Sequence, residues 1–242
     1  MKLLAIGAAG TVGSIVRPGL EAEHQCCYLD QKPVIGREDR TIVANVHDQE
    51  AVDRGVRGQD AVVYMAMGGN IVDGPGIDDI ELAFSVNCGG LYRALRTAAR
   101  AGVKRFVFTS TYSVYRTSVP GFEANERVEP DEYESTYGLS KRCSELICRA
   151  TSDAYPEMTI VALRLFHPSN EERFQRVWAH PDIRTKKARF ATGPNDTRRL
   201  FLAAVALDRP GCHVVNTCGE VDGKMFDLTK ARELLGWAPR GE

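Results

Sequence analysis

Short apolar runs recur along the chain at residues 3–6, 26–29, 42–43, 61–67, 106–108, 160–163 and 213–215, separated by longer stretches of helical period such as 78–101 and 137–154. Strands that are apolar on both faces belong inside a sheet covered on both sides. Strands alternating with helices belong to a parallel one. The pattern therefore predicts an α/β fold, a doubly wound parallel sheet of the Rossmann type with right-handed crossovers. No fixed-period repeat, low-complexity tract or linker interrupts it, so residues 1–242 read as a single domain.

Two places break the rhythm. Pro18 falls about two turns into the helix expected after Gly10, where it removes a backbone hydrogen bond and crowds the preceding turn; that helix should be kinked or short. The stretch 164–197 is polar, contains Pro168, Pro181 and Pro194, and lacks a long clean period. It is expected to hold inserted segments that face a substrate.

Composition narrows the function. With 31 Lys and Arg against 32 Asp and Glu the net charge is -1, so no global field favours nucleic acid or an anionic membrane. No apolar run approaches the ~20 residues that span a bilayer, and the amino terminus breaks into glycines without the cleavage site of a secretory signal. Seven cysteines, an odd number with no Cys-x-x-Cys pair, argue against a disulfide scaffold or a structural zinc, and the five histidines lack ligand spacing. The expected setting is a reducing cytoplasm, and no metal is expected.

The candidate chemistry lies at strand ends. Gly7-Ala8-Ala9-Gly10-Thr11-Val12-Gly13 follows the first strand and opens a helix. Backbone amides at a helix amino end bind a pyrophosphate, the first two glycines clear its approach, and the third lets helix and strand pack closely. Asp30 ends the second strand, where its carboxylate would accept hydrogen bonds from the adenosine ribose and repel a 2′-phosphate. That favours NAD over NADP, although Lys32 and Arg37 are near enough in sequence to serve a phosphate. After the third strand, Asn45 can meet an adenine edge, and Asp48 can cap the next helix.

Tyr137 and Lys141 are one helical turn apart, which brings the ammonium near the phenol. Such a charge stabilises phenolate and should bring the tyrosine pKa from about 10 toward neutrality, making a general acid/base. Strand 105–109 runs into Ser110-Thr111-Tyr112-Ser113, hydroxyls at the carboxyl edge where open parallel sheets bind ligands. Asn87 is a poor helix former inside the 78–101 helix; its amide can hold a water or a backbone carbonyl, or face solvent.

In this order the residues resemble the extended short-chain dehydrogenase/reductase family, also called the NAD-dependent epimerase/dehydratase family. The resemblance runs through the glycine triad, Asp30, Asp60-Ala61-Val62-Val63-Tyr64-Met65-Ala66, Asn87, Ser110-Thr111 ahead of Val114-Tyr115, Tyr137-x-x-x-Lys141, Leu163-Arg164-Leu165-Phe166 and the tail 227–239. It implies a nicotinamide cofactor held by Gly7, Gly10, Thr11, Val12, Gly13, Asp30, Asn45, Val46, Met65 and Ala66, together with Tyr137 and Lys141. Asn45 stands where the family usually carries Asp. The resemblance also implies Tyr137 as catalytic acid/base, Lys141 lowering its pKa and holding the nicotinamide ribose, Thr111 in the catalytic Ser/Thr position, and Asn87 as the family's helix asparagine.

Only about 80 residues follow the sixth strand, a small C-terminal substrate-binding portion that points to a small sugar-like substrate rather than a nucleotide sugar. Within the family the chain looks most like the uronate dehydrogenases, which oxidise the anomeric carbon of a hexuronic acid. Arg173 precedes Trp178 by five residues, the spacing of their carboxylate-binding arginine. Gly69, Thr111, Tyr112 and Ser113 are the other expected substrate contacts, although the uronate enzymes carry Asn-His where Tyr112-Ser113 stand. The expected activity is NAD-dependent oxidation of a hydroxyl or lactol by a homodimer. The alternatives are an epimerase or dehydratase that returns the hydride, and a nicotinamide-sensing protein without turnover.

Overall fold

The structure, a computed structural model, describes residues 1–68, 79–116, 125–179, 190–222 and 226–242, with backbone alone at 177–179. Seven strands, β1 (Lys2–Ile6), β2 (Gln25–Asp30), β3 (Thr41–Val43), β4 (Ala61–Tyr64), β5 (Arg105–Thr111), β6 (Thr159–Leu165) and β7 (Gly211–Asn216), form one parallel sheet in the order β3-β2-β1-β4-β5-β6-β7. The order reverses direction between β1 and β4, and the crevice beyond their carboxyl ends is where such sheets bind ligands.

Helices α1 (Thr11–Glu23), α2 (Gln49–Val56), α3 (Ile80–Phe84), α4 (Leu91–Arg100), α5 (Thr136–Ala154), α6 (Glu171–Ala179), α7 (Pro194–Ala206) and α8 (Thr229–Leu235) connect or flank the strands. Side chains alternate across the sheet. Leu3, Ala5, Val63, Val107 and Leu163 pack with α1, α7 and α8, while Leu4, Ile6, Phe106, Phe108 and Ile160 pack with α2, α4 and α5. With both faces covered, the strands need apolar residues at successive positions, and each fully buried Leu, Ile or Phe contributes about 1.5–3 kcal/mol. Among the described residues no helix is long and apolar enough to cross a membrane.

Several local expectations are corrected. Helix α1 continues through Pro18 to Glu23, so it is not shortened. Arg198 Nε on α7 donates to the Ile15 carbonyl at 2.9 Å, bracing from outside the turn that the proline weakens. The helix expected over 78–101 is interrupted by a π turn, Ser85–Gly90, between α3 and α4. Two hydroxyls meet carbonyls of that turn: Tyr64 donates to Val86 O at 2.7 Å and Ser144 to Asn87 O at 2.8 Å. Strand β4 ends at Tyr64 instead of 67, and the polar stretch after β6 contains α6, a helix its periodicity does not announce.

Candidate active site

The glycine turn lies where β1, β2 and β4 end. Gly7 has φ +83°, and a Cβ there would stand 2.4 Å from Ala66 N, so no larger residue fits between the turn and the β4 exit. At Gly13 the same atom would meet Ala8 O at 2.5 Å, which is the close helix-to-strand packing expected of the third glycine. Gly10 caps α1 in an extended conformation with no side-chain hydrogen bond and no acidic residue in the first turn. The amides of Thr11, Val12 and Gly13 thus stand at a positive helix end without a protein anion.

Asp30, half-buried at the end of β2, accepts from Ala9 N at 2.9 Å and from Lys32 N at 3.1 Å, tying the glycine turn to the β2 exit. Arg37 is already paired: its Nε and a terminal nitrogen bind the two Glu21 oxygens at 2.6 and 2.9 Å. That pairing is the main reason the Glu21 carboxyl is held below its usual range. Asn45 is exposed, and its side-chain oxygen accepts from His47 N at 3.0 Å; Val46 is buried beside it, and Asp48 caps α2 through Ala51 N. Met65, buried, continues from β4 with its amide on Ile6 O at 2.8 Å, followed by half-buried Ala66.

Asn87 is wholly buried in the π turn, with both N–H groups of its amide engaged. Its oxygen accepts from Gly68 N at 3.0 Å, and its nitrogen donates to Gly68 O at 3.2 Å and to Ser140 Oγ at 2.9 Å. The side chain is a splint between the β4 exit and α5.

Helix α5 brings Tyr137 and Lys141 to the end of β5. Ser135 caps it through Gly138 N at 3.2 Å. Lys141 Nζ is 1% exposed, donates to Thr109 O at 2.8 Å, and lies 4.8 Å from the Phe108 ring centroid and 5.9 Å from that of Tyr137. Desolvation brings its pKa down to about 8. The expected fall in the Tyr137 pKa is not what the free site shows. Burial pushes that phenol up, and the group working against the rise is the hydrogen-bonding side chain of Thr111. The physical cause is desolvation of the phenol, while Lys141 turns one of its three N–H groups to the β5 backbone.

Thr111 ends β5 and starts a 3₁₀ turn, Tyr112–Val114; its Oγ1 accepts from Ser113 N at 3.1 Å and donates to Ser113 Oγ at 3.3 Å. Tyr112, an expected substrate contact, has its side chain turned inward. Its ring is 5% exposed and packs 5.1–5.3 Å from the centroids of Tyr115, Phe166 and Phe226, because the turn swings it into the aromatic core. Ser113 remains exposed. Arg173 is exposed on the first turn of α6, its amide on Asn170 Oδ1. Gly69 and the Trp178 side chain lie outside the described residues.

Sequence reasoning passed over a buried ion pair. Arg164 of β6 holds Glu145 of α5 through two bonds of 2.8 and 2.6 Å, and Ser110 donates to the same carboxylate at 2.6 Å. The signal was present: Tyr137, Lys141 and Glu145 recur every four residues, one stripe of α5 laid on β5 and β6. Glu132 was also passed over; its carboxylate accepts from the amides of Tyr133, Glu134 and Ser135 at 2.8, 2.8 and 3.0 Å, ordering the entry to α5.

These residues fit a dinucleotide: a glycine turn packed backbone to backbone against the β4 exit, an uncapped helix end, and a carboxylate at the tip of β2. Comparison with known proteins agrees. The chain is 25% identical to the L-arabinose 1-dehydrogenase (NAD(P)(+)) of Haloferax volcanii over 99% of this chain and 96% of that protein. It is 29% identical to the uronate dehydrogenase of Pseudomonas syringae pv. tomato over 76% of this chain and 67% of that protein. A solved short-chain dehydrogenase/reductase superfamily protein from Agrobacterium tumefaciens with bound NAD shares the fold, with a TM-score of 0.81 at 20% identity over 99% of this chain and 93% of that one. The profile of the NAD dependent epimerase/dehydratase family matches residues 3–184, which is most of the sequence, and the chain belongs to that family.

Proposed function

We propose that this enzyme is an NAD-dependent sugar dehydrogenase that oxidises the hydroxyl or lactol of a small carbohydrate, with a hexuronic acid as the first substrate to test. The observation that carries the reading is the meeting of Tyr137 and Lys141 of α5, with Nζ 5.9 Å from the phenol ring centroid, at the carboxyl end of β5 where Thr111 stands. Near-complete coverage of a sugar 1-dehydrogenase favours net oxidation over epimerisation.

The residues divide the work as follows. Thr111 hydrogen-bonds the substrate oxygen and Tyr137, as phenolate, takes its proton. NAD, when bound, supplies the hydride acceptor at nicotinamide C4. Lys141, with Nζ 5.9 Å from the Tyr137 ring centroid, favours the phenolate, and Asn87 keeps the β4 exit in register with α5. The amides opening α1 and the Asp30 carboxylate hold the pyrophosphate and ribose, while the engaged Arg37 supports NAD over NADP. The exposed guanidinium of Arg173 suits a substrate carboxylate.

Exposed Ile80, Leu82, Tyr92 and Leu146 on α3, α4 and α5 support a homodimer, and seven free thiols support the cytoplasm. Incubation of the enzyme and NAD with galacturonate, glucuronate, L-arabinose and a nucleotide sugar should build up NADH with one of the free sugars. An epimerase would leave the NAD pool oxidised. Tyr137→Phe should lose about 10²-fold or more in turnover while binding NAD as before; equal turnover removes the phenol from the mechanism.

A further inference from the structure

Segment 237–242 folds back on the start of α7, where one side chain receives it. Asp196, in the first turn of α7, is fully buried, and its carboxylate accepts from the amides of Arg240 at 2.9 Å, Gly241 at 2.9 Å and Glu242 at 3.3 Å, with the Arg199 guanidinium as a fourth donor. In return the Asp196 amide donates to Glu242 O at 2.9 Å, and Nε1 of buried Trp237 donates to Asp196 O at 2.9 Å. A carboxylate is tolerated out of water only when donors surround it. The amides it gathers belong to 240–242, so Asp196 is a receptor for that segment rather than a cap for its own helix.

The held segment presses on the chain that leaves β6. At Gly193, the head of α7, a Cβ would stand 2.2 Å from Glu242 O and 3.0 Å from Cζ of Phe174 on α6. One residue earlier, Thr192 bridges to the exit of β6: its amide donates to His167 O at 3.2 Å, its carbonyl accepts from Ser169 N at 3.0 Å, and its Oγ1 donates to Phe166 O at 2.9 Å. That exit leads into α6, where Arg173 stands. Helix α1, which opens at the glycine turn, is joined to α7 by a different side chain, Arg198. We infer that Asp196 is a positioning residue for the sugar side of the crevice: by holding 240–242 against Gly193 it fixes residues 166–173, and with them Arg173, without setting the dinucleotide side. The part given to Arg173 rests on the dehydrogenase reading above.

Three variants separate the backbone bond from the side chains around it. Asp196→Asn turns one acceptor oxygen into a donor, and Arg240→Pro removes one amide from the carboxylate. Arg240→Ala keeps that amide and loses only an exposed side chain. By hydrogen exchange on the full chain, the amides of 167–176 should open about tenfold more often in the first two variants, while those of 7–16 stay as they were and Arg240→Ala matches wild type. With whichever of galacturonate, glucuronate and L-arabinose is oxidised, the sugar KM should rise about tenfold in the first two, with kcat within about twofold and the NAD dissociation constant unchanged. A merely structural role would lower the active fraction, and so kcat, and leave KM in place.

Unchanged exchange at 167–176 in Arg240→Pro overturns the inference, whether or not Asp196→Asn folds. Faster exchange there with an unchanged sugar KM overturns the assignment to the sugar side, and so does an NAD dissociation constant that rises as much as KM. Wild-type protein that forms NADH with none of the three sugars overturns the function proposed above; the exchange measurement then still decides whether Asp196 holds 166–173.

Discussion

Helices α1 and α5 both open beside the crevice, and they treat their amino ends in opposite ways. Helix α1 begins at Gly10 with no side-chain cap and no acid in its first turn. The entry to α5 is filled from within: Ser135 caps Gly138, and the Glu132 carboxylate collects three successive amides. Amides are obligatory donors, so an end left open at the carboxyl edge of the sheet offers its N–H groups to water or to an anionic ligand, while a capped end holds its own side chains still. One helix is built to bind and the other to aim.

The comparison breaks most sharply at Gly10, whose φ of -77° accepts any residue. Gly10→Asp would place a carboxylate on the α1 amides, closing the end as α5 is closed. A fixed charge about 4 Å from a pyrophosphate oxygen opposes it by about 4 kcal/mol at an effective dielectric of 20. The dissociation constant for NAD, measured by calorimetric titration, should rise at least ~100-fold. Fold stability should change by about 1 kcal/mol, because the gain from Asp as a good N-cap is set against a tight 3.3 Å approach of its Cβ to Gly7 O. Unchanged NAD affinity would mean that α1 does not receive the phosphates.

On α5 the aiming carries a stability penalty at Lys141. Its pKa falls from 10.5 to about 8 through desolvation, so between those values the unfolded chain binds more protons than the folded one. Stability therefore rises with pH across that window, and the full burden is present below about pH 8. Lys141→Met should stabilise the fold by about 2 kcal/mol near neutrality, after allowing about 1 kcal/mol for the lost bond to Thr109 O. The difference should shrink above pH 8 in denaturant titrations, while turnover is lost. A variant less stable than wild type at every pH would show that the ammonium is not a burden.

The glycine triad, Asp30, and the Tyr137 and Lys141 spacing were legible because each depends on local sequence and on the alternation of strand and helix. The π turn was not. Apolar spacing over six residues does not separate its winding from that of an α-helix, and the hydroxyls at its carbonyls come from Tyr64 and Ser144 on distant elements. Pro18 was misjudged for the same reason, since Arg198 reaches α1 from the far side of the chain. Tyr112 and Ser113 read alike in sequence; a single 3₁₀ turn buries one and exposes the other. The Tyr137 pKa depends on how far the phenol is desolvated, which only packing decides.

Glu132 supplies the mildest and most discriminating test, because it touches the closed helix end without touching a reacting atom. Glu132→Ala leaves the amides of residues 133–135 without their acceptor, and solvent can replace only part of what a buried carboxylate provides. The loss should be about 1–2 kcal/mol of stability, the cost of leaving amides of the turn before α5 without their acceptor. With α5 entering less firmly, Tyr137 should be held less well against Thr111, so kcat should drop several-fold while NAD affinity stays put. Glu132→Gln keeps an acceptor oxygen and should recover most of both losses. Weaker NAD binding in Glu132→Ala, with kcat intact, would reverse the roles assigned to the two helix ends.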